Sequence, residues 1–226
     1  LTLRFLINGR EERRAYSMCS SPLEEGLTVA VKRVKSGKVS NYINDKLKEG
    51  DKVDVMAPEG RFFTKLDADH KKTYYLIGAG SGITPLFSII KTILEMEPQS
   101  FVYLFYGNRD EDSIIFKEAL EALKQKYAGQ FEIAYTLSQP KRYKEKGLKG
   151  VFSKGNIQWT GCVGRLDREN LEAFMAKHPP RHKTVEYFIC GPGDMIEAVE
   201  AILQTKGVEQ KYIHAEYFST ATHSGA

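Results

Sequence analysis

Cysteine is scarce in this chain of 226 residues: there are three, Cys19, Cys162 and Cys190, and no C-x-x-C pair. An odd number without close spacing speaks for a reducing compartment. It speaks against a disulfide framework and against a cysteine-ligated cluster held by these residues. Long apolar runs are lacking too. None approaches the roughly 20 residues that a bilayer-spanning helix needs, and no signal-peptide pattern is seen, so a cytoplasmic protein is expected. Neither sign of charge dominates: a formal net charge of +4 favours an anionic ligand but falls short of the clustered basicity of a nucleic-acid binder. Internal repeats and low-complexity tracts are absent. So is any G-K-[ST] after a glycine turn, which removes a phosphoryl-transfer P-loop from consideration.

What is present divides in two. Up to about residue 66 the text is strand-like. "LTLRFLI" meets a turn at Asn8-Gly9, a strong hairpin signal, and "RRAYSMC", "LTVAVKRV" and "DKVDVMA" follow. One short helix, "NYINDKL", is expected to open after Ser40 as its cap. This composition suits a small antiparallel sheet or barrel. The chain opens without methionine, in mid-strand, as expected of a barrel that lacks its first residues. Asp67 to Lys72 reads as a linker.

Beyond it strands and helices alternate. "TYYLIGA", "FVYLFYG", "FEIAYTLS", "EYFICGPG" and "KYIHAEYF" are the strands. The helices are "PLFSIIKTILEM", "SIIFKEALEALKQKY" capped by Asp112, "RENLEAFMAK" capped by Asp167, and "DMIEAVEAILQTKG" stopped by Gly207. Such alternation predicts a parallel sheet covered on both faces, with ligands at the carboxyl ends of its strands.

The turn "IGAGSGITP" lies at such an end. Gly78, Gly80 and Gly82 let the backbone approach a diphosphate, the following helix start offers free N–H groups, and Pro85 fits the first helical turn. The spacing is G-x-G-x-G rather than the dinucleotide fingerprint G-x-G-x-x-G, and the second strand closes on Gly107-Asn108-Arg109 without an acidic residue. On these residues alone a plain connecting turn stays open, as does the type of nucleotide.

Three motifs in register, "RRAYS", "GAGSGITP" and "CGPGDM", resemble those of the ferredoxin–NADP reductase superfamily of flavoproteins. The resemblance covers essentially the whole chain. It implies a two-domain architecture: an N-terminal antiparallel β-barrel binding FAD over residues 1–68, partial here, and a C-terminal α/β parallel-sheet domain binding NADPH or NADH over 69–218. In the barrel it gives Arg14 to a flavin phosphate, Tyr16 (after Ala15) to packing on the flavin, and Ser17 to the flavin N5. "VKRV" (Val31, Lys32, Arg33) borders the flavin, and "GKVS" (Gly37, Lys38, Val39, Ser40) opens a second phosphate site. The turn "APEGRF" closes the barrel. In the second half it puts the glycine loop on the nucleotide diphosphate with Thr84 near the nicotinamide. Cys190 lies beside the nicotinamide C4, in a pocket shaped by Gly191, Pro192 and Met195. Glu216 stands near the flavin edge, with Tyr217 or Phe218 covering the ring. Ser17, Cys190 and Glu216 are then the catalytic set. For a 2′-phosphate, Asn108-Arg109, Ser138, Lys141 and Arg142 are at hand, yet Gln139-Pro140 stands where NADPH-specific relatives often carry arginine.

Within the superfamily the chain resembles the reductases of bacterial multicomponent oxygenases. The wording "RRAYSMCSSP", "YGNRDEDSIIF" and "IHAEYF" is most like the reductase components of phenylacetyl-CoA epoxygenases. This implies electron transfer from NAD(P)H through FAD to a [2Fe–2S] ferredoxin-type domain or protein and on to an oxygenase component. The tail "STATHSGA" (219–226) reads as a linker, and the cluster's cysteine pattern is absent from the chain. Arg4, Arg10, Arg13 and Lys65 are basic residues that could steer an acidic ferredoxin. The alternative is a flavin-free nucleotide-binding regulatory module of the same fold.

Overall fold

The computed structural model describes residues 1–143 and 156–218. In the N-terminal half β1 (Thr2–Ile7) pairs antiparallel with β2 (Arg10–Ala15) and β3 (Asp54–Met56), in the order β2-β1-β3. Asn8 and Gly9 both take positive φ, 52° and 74°, as a two-residue hairpin turn demands. Leu3, Phe5 and Ile7 alternate onto one face and bury against Val39 of α1 (Lys38–Lys46), with Tyr16 and Tyr42 at the margin.

The strand expected over "LTVAVKRV" is extended chain with a single bridge, Val29 to Met18. Helix α1 opens at Lys38 rather than after Ser40. Gly37 is its N-cap, without a side-chain cap bond. The Ser40 hydroxyl instead accepts the Val34 N–H at 3.3 Å, so it ties down the incoming chain, not the helix end.

The second half is a six-stranded parallel sheet, ordered β11-β10-β4-β5-β6-β9. Its strands are β4 (Lys72–Ala79), β5 (Phe101–Asn108), β6 (Phe131–Leu137), β9 (Cys162–Val163), β10 (Thr184–Gly191) and β11 (Ile213–Tyr217); a short antiparallel pair, β7 (Arg142–Tyr143) and β8 (Asn156–Ile157), lies apart. β4 and β5 are apolar on both faces because both are covered. Tyr74, Leu76, Val102, Leu104 and Tyr106 meet α2 (Ile83–Met96) and α3 (Lys117–Lys126). Tyr75, Ile77, Tyr103 and Phe105 meet α4 (Arg168–Lys177) and α5 (Gly193–Thr205). The chain winds from β4 through β5 and β6 to one side, then returns to lay β10 and β11 on the other. The β4–β10 boundary is therefore the topological switch point, where a crevice opens at the carboxyl ends.

Caps agree with the sequence where the residue starts its helix. Asp167 accepts the Asn170 N–H at 3.0 Å, and Gly207, at φ 81°, ends the turn after α5. Asp112 does not cap α3. Asp110 closes a capping box on the 3-10 turn Glu111–Ser113, and α3 begins only at Lys117, after Phe116 at φ 60°. Asp112 pairs with Lys141 instead, at 2.6 Å. The tail expected at 219–226 lies outside the described residues. Among the described residues no helix is long and apolar enough to cross a membrane.

Segments from the first half seal one helix of the second. Ser21 and Thr92 hydroxyls lie 2.8 Å apart, Ser88 donates to the Ser20 carbonyl at 2.7 Å, and Lys91 pairs with Glu24.

Candidate functional site

Three clusters gather the expected site residues: one in the second half, one spanning the halves and one in the first half. The first is the crevice at the switch point. β4 ends in the 3-10 turn Gly80–Gly82, with Gly80 at φ 54°, and runs straight into α2. A Cβ on Gly82 would sit 2.1 Å from the Cys190 carbonyl oxygen, and one on Gly78 would sit 2.6 Å from Leu86 Cδ1. Gly82 thus serves close backbone approach to the end of β10, and Gly78 leaves room for the Leu86 side chain. Tyr106 fixes the loop by donating its hydroxyl to the Gly80 carbonyl at 2.8 Å. In register across three strands, Gly78 pairs with Cys190 and Cys190 with Glu216.

Cys190 is fully buried. Burial, then the neighbouring Glu216, push its thiol up to about 12, so it is a neutral thiol at physiological pH. Burial also raises the Glu216 carboxyl above its usual range. Pro192 caps α5 from an exposed position, whereas Met195 is buried, its methyl 2.9 Å from where a Cβ at Gly191 would stand.

The second cluster is an open pocket of about 500 Å³ spanning the halves. It brings together Val31 and Lys32 from the first half with Thr84 and Arg109 from the second. Ser81, Asp110 and Ser113 also line it, and the sequence reading passed over them. Their signal was local: Ser81 lies inside the glycine loop, and D-x-x-S is a capping-box pattern. Arg109 Nε lies 3.0 Å from Asp110. Beside the pocket, Asn108 is buried at the end of β5, near the Tyr106 hydroxyl, and neither polar atom of its amide makes a well-formed hydrogen bond among the described residues. A buried unpaired amide is costly and points to a missing partner. Pro85 is buried in the first turn of α2. Ser138 is exposed and its N–H donates to the Asn108 carbonyl; Lys141 is committed to Asp112.

The third cluster joins the hairpin to α1. Lys38 Nζ reaches Glu12 Oε1 at 2.7 Å, and Arg14 Nη2 stands 3.7 Å from Glu12 Oε2. Two cations from separate motifs therefore converge on one carboxylate. Sequence reading missed Glu12, although its i, i+2 spacing from Arg14 puts both on one face of β2. Tyr16 is half-buried in the hairpin core, and burial raises its hydroxyl pKa.

Other expected site residues lie apart. Ala15 is exposed at the strand end and Ser17 half-buried just beyond it. Arg33 pairs with Asp45 at 2.8 Å, and the Val39 side chain belongs to the core, which leaves its backbone for any ligand. Tyr217 and Phe218 are exposed, with Tyr217 donating to Glu200. Of the basic residues, Arg4 is taken by Asp54 at 2.9 Å and Arg13 by Glu11 at 2.6 Å.

The donor sets fit two anionic cofactors. Arg14, Lys38 and the uncapped start of α1 suit a flavin diphosphate. The Gly78–Gly82 cradle and the orphaned Asn108 amide suit a nicotinamide nucleotide.

The comparisons with known proteins fall on the same division. A family model described as an oxidoreductase FAD-binding domain matches residues 1–64, and one described as an oxidoreductase NAD-binding domain matches 76–201. The chain is 37% identical over 220 residues to one of the subunits of the 1,2-phenylacetyl-CoA epoxidase of Escherichia coli (strain K12), covering 97% of this chain and 58% of that protein. It is 34% identical over 209 residues to the ferredoxin reductase component of 3-ketosteroid-9-alpha-monooxygenase from Rhodococcus rhodochrous, covering 92% and 51%. The chain thus spans a little over half the length of these relatives. Among solved structures, the CS-b5R domains of human Ncb5or superpose with TM-score 0.74 at 26% identity, over 96% of this chain and 59% of that one. The Amycolatopsis cytochrome P450 reductase GcoB superposes with TM-score 0.76 at 24% identity, over 98% and 61%, and shares the fold.

Proposed function

The chain belongs to the FAD- and NAD-binding oxidoreductases of ferredoxin reductase type, and from that premise we propose that it carries electrons from NADH or NADPH through FAD to a [2Fe–2S] acceptor serving an oxygenase. A phenylacetyl-CoA epoxygenase system is the favoured setting, because the relative at 37% identity is a component of such an enzyme. In this reading residues 1–68 bind FAD and 69–218 bind the nicotinamide nucleotide. Bound there, the two cofactors would supply hydride transfer and the splitting of a two-electron donor into single electrons.

One observation carries the proposal. The pocket of about 500 Å³ is walled by Val31 and Lys32 on one side and by Ser81, Thr84 and Arg109 on the other. A site shared between an FAD-binding half and an NAD-binding half is what direct transfer between two cofactors requires, since alignment of the reacting groups can supply roughly 7–11 kcal/mol of the barrier at best.

The chain's own residues then have distinct tasks. Arg14 and Lys38 hold the flavin phosphates, and the Tyr16 ring packs on the flavin. Gly78, Gly80 and Gly82 admit the nucleotide diphosphate to the start of α2. Asn108 gives its unpaired amide to the nucleotide. Cys190, as a neutral thiol, shapes the floor under the nicotinamide. Ser17 and Glu216 sit at the flavin edge, where Glu216, its pKa raised by burial, can take up and release a proton.

The test is a visible spectrum of the full-length protein before and after anaerobic NADH or NADPH. Flavin bands that bleach on addition, and return with a [2Fe–2S] ferredoxin as acceptor, are expected. A colourless protein that binds nicotinamide nucleotide but no added FAD would leave the flavin-free regulatory module in its place.

A further inference from the structure

We propose that Glu12 is an internal competitor for the cations that hold the flavin diphosphate, and that it thereby sets how tightly FAD is kept. The inference rests on the flavin reading above. Glu12 and Arg14 alternate onto the same face of β2, the face that packs towards α1. Lys38 stands in the first turn of α1, whose N-cap, Gly37, leaves the helix start without a side-chain acceptor. The Glu12 side chain is 16% exposed between them, against 36% for Arg14 and 51% for Lys38. It lies 2.7 Å from Lys38 and 3.7 Å from Arg14.

Those two cations, with the free N–H groups of α1, are the anion-binding equipment of this half. A diphosphate that takes them must draw them away from Glu12 or bind beside its negative charge. Either course costs affinity. An anion drawn to the same two cations comes near the Glu12 carboxylate, where like charges repel, and a committed cation has less to offer a second anion. Glu12 therefore makes the cofactor more exchangeable than Arg14 and Lys38 alone would. A carboxylate that only held the cations in position for the diphosphate would act in the opposite direction, so the two roles are separable by sign.

The experiment measures the FAD dissociation constant of the flavin-stripped full-length protein by flavin fluorescence, across a series of salt concentrations. Glu12→Gln and Glu12→Ala are compared with the wild type. Both substitutions lie on the edge strand of the small sheet, and the unfolding midpoint without FAD checks that each variant folds. Both are expected to bind FAD about tenfold tighter, equivalent to about 1.4 kcal/mol, and to lose more affinity per decade of salt. Lys38→Gln is expected to weaken binding more in the Glu12→Gln background than alone, because Lys38 no longer divides its charge. Unchanged or weaker binding by both variants, with FAD bound by the wild type, overturns the inference and leaves the flavin reading intact. Absence of FAD binding by the wild type and by both variants overturns the flavin reading and this inference with it.

Discussion

Gly82 and Cys190 show how a single atom decides the crevice. With the Cys190 carbonyl only 2.1 Å from where a Cβ would stand, Gly82→Ala must force the β10 end away from the loop. The expected cost is about 1–3 kcal/mol of stability, read by urea unfolding, with nucleotide affinity reduced tenfold or more in a titration. Full retention of both would show that the crevice tolerates a wider gap. Cys190 itself, pushed up to about 12, supplies no thiolate in the working range. Cys190→Ala is therefore expected to slow hydride transfer about tenfold through lost packing, with the same dependence on pH from about 6 to 9 as the wild type. Stopped-flow reduction by NAD(P)H checks it: a profile that changes shape would mean that the thiol titrates after all.

At the scale of elements, Glu186 ties three strands together. From β10 it meets Lys72 of β4 at 2.7 Å and His214 of β11 at 2.9 Å, and His214 stacks on Phe188 with ring centres 4.5 Å apart. The His214 hydrogen bond and then Lys72, working against burial, hold the Glu186 carboxyl down to about 2 from an ordinary 4.5. A depressed carboxylate contributes stability that is complete above its unfolded pKa and lost as pH falls towards the folded one. Between pH 5 and pH 3, values roughly bracketing that onset, the wild type is expected to lose on the order of 2 kcal/mol more than Glu186→Gln in urea denaturation. Equal losses would mean that the tie contributes nothing. The helix ends teach a related lesson. Asp167 was readable as a cap because its side chain bonds its own helix start. Asp112 was misread because Asp110, two residues earlier, closes the capping box and Lys141, beyond the end of β6, claims Asp112.

At the scale of the molecule, the segment between the halves is anchored by a buried glutamate. Glu97, fully buried at the end of α2, accepts from Tyr74 at 2.9 Å and from Ser100 at 2.7 Å, and meets His70 Nδ1 at 2.8 Å. The backbone N–H of Asp67 also points to it. The stretch read as a linker is thus pinned to the sheet on which the nucleotide crevice is built. Glu97→Ala removes the acceptor of the buried Tyr74 hydroxyl and one acceptor of the buried Ser100 hydroxyl, and a loss of about 2–4 kcal/mol is expected. It is measured by denaturant unfolding, with Glu97→Gln recovering part of the loss. A variant as stable as the wild type would show that these contacts of Glu97 contribute nothing to the anchoring.

Which parts were legible follows from the range of the interactions. The parallel sheet could be read because apolar runs such as "YYLI" and "FVYLFY", each bounded by turn residues, state burial on both faces within a short length of chain. The glycine turn could be read because a left-handed φ and a helix start are local demands. The extent of strand pairing in "LTVAVKRV" was not readable, since apolar alternation does not say whether a partner strand is present. The site residues divide in the same way. Their motifs are contiguous, but the meeting of Glu12 with Lys38, the closeness of Gly82 to Cys190, and the orphaned Asn108 amide are matters of contact between distant residues. The order and type of the helices and of the long strands of the second half follow from the sequence, because periodicity and turn chemistry act between neighbours, whereas the two-residue strands β7, β8 and β9 carry no such signal. Only the tertiary structure decided which charges face each other and which glycine must remain bare, because register and packing bring those groups together across the chain.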